Sequence, residues 1–231
     1  MKRIHELPAA LVPLLLLLTS ATLAGEQPEH LGIDVSHYSG AVDWSQVAAA
    51  GYSFAFVKAT EGEDAADPRF AGHWAELAGT GLARGAYHFY VAHDDPEVQA
   101  RFFLATVPFH QSDLLPVVDV ESPAGAPPPA EFARQLRRFL DLVERETGAR
   151  PILYTGPRFW QTHLAGDFSD YPLWIAEYQV DTAVVPDGFE GWTLWQWEGD
   201  VAVPGVEKKA DVSRLAPGLS LDVLRMPAAV P

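Results

Sequence analysis

Eight short apolar segments, most of them rich in β-branched or aromatic residues, recur along the chain between positions 31 and 215. Each has the length of a strand buried on both faces, which is typical of parallel sheets. They are LGIDVS (31–36), SFAFVKA (53–59), ARGAYHFY (83–90), LLPVVDVE (114–121), RPILYT (150–155), PLWIAEY (172–178), GWTLWQWE (191–198) and KADVSRL (209–215). The pattern predicts an α/β fold with eight strands.

Helical patterns separate several of these segments, mainly in the first five units. Residues 43–51 begin with an Asp that can cap a helix, and residues 96–107 begin with a Pro that suits a first turn. Residues 129–148 are the clearest case, with apolar side chains at helical spacing and a final Gly. This alternation predicts a modified (β/α)-barrel of eight strands, with fewer and shorter helices in the C-terminal part.

The N-terminus has the composition of a secretory signal peptide. Lys2 and Arg3 precede an apolar run over residues 7–24, and small residues before Gly25 suit cleavage there. An uncleaved membrane anchor is the alternative, because the run approaches spanning length. We therefore expect a signal over residues 1–24, one barrel domain over residues 25–231 with a short C-terminal tail, and a secreted or periplasmic protein.

Composition excludes several classes of partner. The net charge is −15 and becomes −16 without residues 1–24, so we expect no binding to nucleic acid. The chain has no Cys, which excludes disulfides and thiolate metal or redox sites. We expect a monomer that has no stable membrane insertion after signal cleavage.

The fourth apolar segment ends in two carboxylates, Asp119 and Glu121. Alternate residues of a strand point to the same side, so the two side chains should lie about 6–7 Å apart. In a barrel, active sites lie at the C-terminal ends of the strands. A carboxyl pair at such an end can cleave a glycosidic bond, with one group protonated and the other ionised. A solvated loop start or a cap on a neighbouring helix is the structural alternative.

Two further acids, Asp34 and Asp211, lie in Asp-Val-Ser sequences in the first and last segments. First and last strands are neighbours in a closed barrel, so both acids should face the same mouth. Taken singly, Asp34 suits an Asx-turn and Asp211 suits an exposed position beside Lys208 and Lys209.

Aromatic residues and histidines are also concentrated near the strand segments. Sugar rings stack on aromatic faces, although we expect about half of these aromatics only to pack in the core. Trp195 and Trp197 should face one side of their strand, with Gln196 opposite. His37, His88 and His93 lie near strand ends without metal-binding spacing, so we expect structural or substrate-binding histidines and no metal.

Seven stretches in consistent order resemble glycoside hydrolase family 25, the lysozyme family that includes the Chalaropsis-type N-acetylmuramidase. They are GIDVSHYSG, VDWSQVAAAGYSFAFVKATEG, DPRFAGHWAELAGTGLARGAYHFY, VVDVE, PILYTGPRFW, YPLWIAEY, and WTLWQW with VPGVEKKADVSRL. The resemblance covers residues 31–215. Val212-Ser213 and Trp197 depart from the family's usual Asp-Leu-Asn and Trp-Gln-Tyr sequences.

The resemblance implies a modified (β/α)-barrel that hydrolyses the β-1,4 bond between N-acetylmuramic acid and N-acetylglucosamine in peptidoglycan. It implies that Glu121 is the proton donor, that Asp119 assists or orients the substrate's acetamido group, and that Asp34 and Asp211 complete the pocket. It implies no cofactor or metal. The side chains expected to contact peptidoglycan glycan strands are Tyr38, Glu61, Tyr87, His88, Tyr154, Trp174, Tyr178 and Trp195.

Two other functions fit parts of the sequence. A barrel could hold cell-wall glycan through its aromatics without cutting it, or it could hydrolyse a related N-acetylated glycan such as chitin. Product analysis separates the first from a muramidase, and chitin oligomers offered as substrate separate the second.

Overall fold

The computed structural model of the chain describes residues 29–164 and 166–227. The expected signal over residues 1–24 lies outside the described residues. The strands are β1 (Leu31–Val35), β2 (Phe54–Glu61), β3 (Ala65–Ala66), β4 (Ala83–Phe89), β5 (Val117–Asp119), β6 (Ile152–Thr155), β7 (Leu173–Ala176), β8 (Leu194–Val201) and β9 (Ala210–Leu215). The α-helices are α1 (Trp44–Ala49), α2 (Phe70–Leu77), α3 (Pro96–Thr106), α4 (Pro129–Thr147) and α5 (Pro157–His163).

Eight of these strands close into a barrel, in the order β1-β9-β8-β7-β6-β5-β4-β2, because β1 also pairs with β2. The barrel confirms the predicted fold class and each of the eight predicted strands. The two-residue β3 is an addition that pairs only with the end of β2. Strand β5 is shorter than predicted, since the amides of Leu114 and Leu115 bind the carbonyls of Arg84 and Leu224.

The last strand runs against the others. Strand β9 is antiparallel to both of its neighbours, β8 and β1, whereas the remaining barrel pairs are parallel. The start of β9 therefore lies at the same rim as the C-terminal ends of the other strands. We call this rim the mouth, and we call the opposite end of the barrel the floor.

Alternation along the strands fills the barrel below the mouth with apolar side chains. Phe54, Phe56, Val117, Ile152, Trp174 and Leu194 are buried there. Gly32 and Gly85 make room for the two Phe rings, because a Cβ atom would lie 2.1 Å from Phe54 at Gly32 and 2.3 Å from Phe56 at Gly85. The barrel interior is therefore a packed core that supports the mouth from beneath.

Helices cover the outside of the first half of the barrel. Helix α4 buries an apolar stripe that includes Phe132, Leu136 and Phe139, and it ends at Gly148 in a left-handed conformation (φ 70°). Helices α2 and α5 were not predicted as helices. Within the described residues no helix follows β7 or β8, which confirms the sparse C-terminal helices.

Both ends of the described chain lie at the floor. The amide of Leu215, the last residue of β9, donates to the carbonyl of His30, just before β1 (3.0 Å). Close to the other end, the amide of Met226 donates to the carbonyl of Asp113 ahead of β5 (2.9 Å).

In the part of the chain that is described, no helix is long and apolar enough to cross a membrane.

Candidate active site

The four predicted carboxylates meet at the mouth. Asp34, Asp119, Glu121 and Asp211 line one narrow cavity of about 80 Å³. Strands β1 and β9 place two of them directly opposite each other, since Asp34 and Asp211 are partners in the antiparallel ladder. The sequence therefore predicted this convergence, although Asp211 reaches the mouth from the start of a reversed strand.

The backbone around Asp119 and Glu121 is held on both sides. The carbonyl of Asp119 accepts from the amide of Tyr90, and the amide of Val120 donates to the carbonyl of Tyr154 (both 2.9 Å). The Thr155 hydroxyl donates to the carbonyl of Val120 (2.8 Å). Val120 is buried in the outer core, so the two acids on either side of it face the cavity.

The two acids differ in depth. Asp119 is 7% exposed, and its Oδ1 is buried without a hydrogen-bond partner among the described residues, whereas Glu121 reaches solvent. Burial, and then the charge of Glu121, raises the pKa of Asp119 well above its usual value. Partial burial of its carboxyl, and then the charge of Asp211, raises the pKa of Glu121. The pair therefore favours a state that retains one proton.

Lys58 supplies positive charge beside this pair. It lies within β2, its side chain is 11% exposed, and its Nζ binds Glu61 Oε2 at 2.6 Å. Its charge opposes the rise in the pKa of both Asp119 and Glu121. The ammonium group thus favours one ionised carboxylate next to one protonated carboxyl.

A buried amide connects Asp34 to two tyrosines. Gln196 Nε2 donates to Asp34 Oδ2 (2.8 Å), while Gln196 Oε1 accepts from the Tyr154 hydroxyl (2.8 Å) and from the Tyr178 hydroxyl. Burial, and then the charge of Asp211, raises the pKa of Asp34 well above its usual value. The network fixes the Asp34 carboxyl and both phenol rings around the cavity.

The irregular end of β8 holds Asp211. The amide of Asp200 donates to Asp211 Oδ1 (2.6 Å), and Asp200 adopts a left-handed backbone conformation (φ 60°) that is uncommon for residues other than Gly. Lys209 Nζ binds Asp200 Oδ2 at 2.8 Å. Burial raises the pKa of Asp211, and the bond from Asp200 opposes the rise.

A wider cavity of about 500 Å³ opens from Asp34 and Asp211 towards solvent. Its walls include Tyr38, which is 73% exposed, and Lys208. The loop that carries Tyr38 is anchored by Asp67, whose Oδ2 lies 2.7 Å from His37 Nδ1 and accepts from the His37 amide (3.0 Å). The mouth therefore combines a narrow acidic part with a broad open part.

Six of the eight residues expected to contact substrate lie at the mouth. Tyr87, Tyr154 and Trp174 line the narrow cavity. Tyr38 and Tyr178 are exposed at the rim, and Glu61 is half-exposed beside Lys58. Trp174 is 2% exposed and packs against Phe56 and Tyr154, so it supports the cavity from below.

The structure places His88 away from the mouth. Its ring is fully buried outside the barrel, where it stacks on Phe139 and bonds Thr60 Oγ1 (2.8 Å) and Gln99 Oε1 (3.1 Å). Burial lowers its pKa to about 3. The expected contact between His88 and substrate is incompatible with this position, because neighbouring strand residues point to opposite sides and Tyr87 points inward.

Trp195 also faces outward, opposite Gln196. It lies in a separate outer groove of about 870 Å³ with Trp192 and Arg214, and its Nε1 donates to the carbonyl of Glu177 (2.8 Å). Trp195 therefore does not contribute to the mouth, contrary to the expectation from its aromatic type.

The polar mouth residues that were not predicted as site residues include Lys58, Gln196, Asp200, Lys208 and Lys209. The sequence offered a clue to Lys58: it lies two and four residues after Phe56 and Phe54, so it shares their face, and it is the one polar residue in the run from Phe54 to Ala59. Gln196 offered a similar clue, because it is a polar residue between Trp195 and Trp197 in a strand segment. Asp200 lies at an irregularity in the register of β8, which has no sequence signature apart from the adjacent Gly199. In residues 29–164 and 166–227 no group of three or more His, Asp or Glu side chains is arranged to hold a metal ion.

A closed barrel with paired carboxylates at the C-terminal ends of its strands is the arrangement of a barrel glycoside hydrolase. The comparison with known proteins is specific: the chain belongs to glycosyl hydrolases family 25, whose sequence pattern matches residues 33–206. Asp211 lies just beyond the matched range and joins the site through β9.

Two relatives and one solved structure illustrate the similarity. Lysozyme M1 of Streptomyces globisporus is 35% identical over 192 residues, which cover 78% of this chain and 65% of that protein. YegX of Escherichia coli strain K12, itself uncharacterised, is 40% identical over 185 residues, covering 78% of this chain and 67% of YegX. The match therefore spans about two thirds of each relative.

The bacterial lysozyme from Streptomyces coelicolor has the same fold. Its crystal structure superposes with a TM-score of 0.79 at 30% identity, covering 84% of this chain and 94% of that one.

Proposed function

We propose that this protein is a muramidase that hydrolyses the β-1,4 bond between N-acetylmuramic acid and N-acetylglucosamine in peptidoglycan. The four carboxylates around one cavity support this activity most directly. Membership of glycosyl hydrolases family 25 and the similarity to lysozymes support the choice of substrate.

Glu121 is the proton donor in this proposal. It reaches the open mouth, where a leaving sugar has access, and its raised pKa keeps the carboxyl protonated at higher pH than an ordinary Glu. Glu121 gives its proton to the glycosidic oxygen as the bond to the anomeric carbon breaks. A water molecule then adds its hydroxyl to that carbon and returns a proton to Glu121.

Asp119 stabilises the positive charge that develops at the sugar, either directly or by orienting the substrate's own acetamido group. Its depth in the cavity supports a position beneath the substrate sugar, and Lys58 favours its ionised form. While Glu121 is protonated, repulsion between the two acids is absent, so Asp119 can be ionised at the same time. Asp34 and Asp211 orient the pair and the substrate.

The test is product analysis of purified peptidoglycan by mass spectrometry with wild type and Glu121→Gln. Wild type should release muropeptides with reducing-end N-acetylmuramic acid, and the variant should be slower by a factor on the order of 10²–10⁴. Glu198→Gln is the matched control, since Glu198 is exposed and lies outside both mouth cavities. Near-normal rates with Glu121→Gln would overturn the role of Glu121.

The same assay separates the other functions. Reducing-end N-acetylglucosamine would indicate a glucosaminidase. Sedimentation with the wall without soluble product would indicate a binding barrel, and rapid cleavage of chitin oligomers would indicate a chitin-directed enzyme. The presence of all four acids at the mouth favours hydrolysis over binding alone.

We also propose that the protein acts outside the cytoplasm. The basic start and apolar run of residues 1–24 support export, and a peptidoglycan substrate lies outside the cytoplasmic membrane.

A further inference from the structure

Three lysines lie at the mouth, and they differ in their partners. Lys58 binds Glu61, and Lys209 binds Asp200. Lys208 also lines the wide cavity, but among the described residues no carboxylate lies within ion-pair distance of it. Its ammonium group is therefore available to a ligand.

The backbone fixes Lys208 on the cavity wall. Its amide donates to the carbonyl of Ser39 (3.1 Å), and the preceding Glu207 amide donates to the carbonyl of Ala41 (2.9 Å). The carboxylate of Glu207 in turn accepts from the Ala41 amide (2.6 Å). The Lys208 side chain thus projects from a wall joined to the loop that carries Tyr38.

The rest of the wide cavity is unfavourable for an anion. Asp34, Asp211 and Asp200 line it together with Lys208 and Lys209, and Asp200 already binds Lys209. These acids would repel a ligand carboxylate unless that carboxylate formed an ion pair with the Lys208 ammonium group. A neutral glycan such as chitin makes no use of that cation.

The proposed substrate has such carboxylates. The muramic acid of peptidoglycan carries a short peptide on its lactyl group, and this stem peptide ends in free carboxylates. A sugar in the narrow cavity would direct its substituents into the adjoining wide cavity.

We propose that Lys208 binds a carboxylate of the stem peptide and so determines specificity for peptide-bearing glycan over neutral glycan. This inference rests on the proposed function. Lys208 is a specificity residue here and takes no part in bond cleavage.

The experiment compares two soluble glycan substrates prepared from one sample. Amino groups are acetylated in both, and in one the stem-peptide carboxylates are then converted to neutral amides. Kinetics are measured at low salt with wild type, Lys208→Arg, Lys208→Gln and Lys208→Glu. On the anionic strands we expect Lys208→Gln to raise KM about two- to fivefold, as for an exposed ion pair, and Lys208→Glu to raise it further. The kcat should be unchanged, and Lys208→Arg should stay within about twofold of wild type.

On the amidated strands all four proteins should agree within about twofold. Arg145→Gln, at an exposed position in the last turn of α4, removes one positive charge outside both mouth cavities and controls for net charge. Equal effects of the Lys208 series on both substrates, or no effect on either, would overturn the inference while leaving the muramidase activity intact. Failure of wild type to cleave either substrate would overturn the proposed function, and the inference with it.

Discussion

Asp119 is the least satisfied polar group of the mouth. Its Oδ1 has no hydrogen-bond partner among the described residues, and Glu121 lies next to it in the cavity. Its pKa is raised in the folded protein, so folding binds a proton more tightly there than the unfolded chain does. The associated stability is present at low pH and is lost as pH rises through the folded pKa.

We therefore expect Asp119→Asn to abolish most activity and to stabilise the fold at neutral pH. In a chain of this size about 1 kcal/mol corresponds to about 2–4 °C in Tm, and we expect a gain of at least that order at pH 7. The gain should shrink towards pH about 4, near the pKa of an unfolded Asp. Thermal unfolding of wild type and variant across this pH range measures it.

Asp113→Asn is the contrasting control. Asp113 is also buried, but it binds Arg84 (2.8 Å) and accepts from the His110 amide (2.7 Å). Its replacement should destabilise the protein, by about 3–5 kcal/mol if the buried Arg84 charge is left unpaired. A loss of stability in Asp119→Asn at pH 7 would contradict the account of Asp119.

Residue positions were predictable where strand alternation decides them. Asp119 and Glu121 share a face because one residue separates them, and Asp34 and Asp211 meet because the barrel closes. The same alternation separates Tyr87 from His88, so only one of them could face the mouth. Residue type alone gave the wrong position for His88 and Trp195, since both polar and aromatic side chains also suit the outer core.

Among the elements, β1 and β2 depend on one close contact. Gly32 is paired with Phe54, whose ring occupies the space that a side chain at position 32 would need. We expect Gly32→Ala to destabilise the protein by about 1–3 kcal/mol through overpacking. Denaturant unfolding of the purified variant measures the loss.

Phe54→Leu should restore part of the stability that Gly32→Ala loses, because it removes the ring atoms that a Cβ at position 32 would meet. On its own, Phe54→Leu should destabilise, since it leaves a cavity in the barrel. A double variant no more stable than Gly32→Ala would show that the Phe54 ring is not the source of the overpacking.

The existence of the elements was more predictable than their direction. Apolar runs of strand length identified the eight barrel strands, and Gly and Pro marked the ends of α4. Nothing in the sequence of β9 indicates that it runs antiparallel, because side chains alternate between the two faces of a strand in the same way in parallel and antiparallel strands. Helix α2 was missed because the residue at its N-terminus, Arg69, makes no capping bond; Asp67, two residues earlier, accepts from the Arg69 amide instead (2.9 Å).

At the scale of the whole molecule, the net charge of −15 opposes approach to an anionic cell wall. Raising the salt concentration from about 10 mM to about 150 mM shortens the Debye length from about 30 Å to about 8 Å. We therefore expect the rate on intact anionic walls to rise over this range. Turbidity clearing at each salt concentration measures it, with soluble amidated strands as a substrate whose cleavage should respond little. A steady fall on intact walls would contradict the prediction.

The antiparallel direction of β9 decides at which end of the barrel another module or a support can be joined to the described chain. With β9 parallel, the chain would leave the barrel at the mouth, beside Asp34 and Asp211. Residue 29 lies at the floor because it comes just before β1. Because β9 is antiparallel, the chain also leaves the barrel at the floor, and residue 227 lies there too. Anything joined directly at residue 29 or residue 227, whether a further module, a tag or a solid support, therefore starts at the opposite end of the barrel from the four carboxylates.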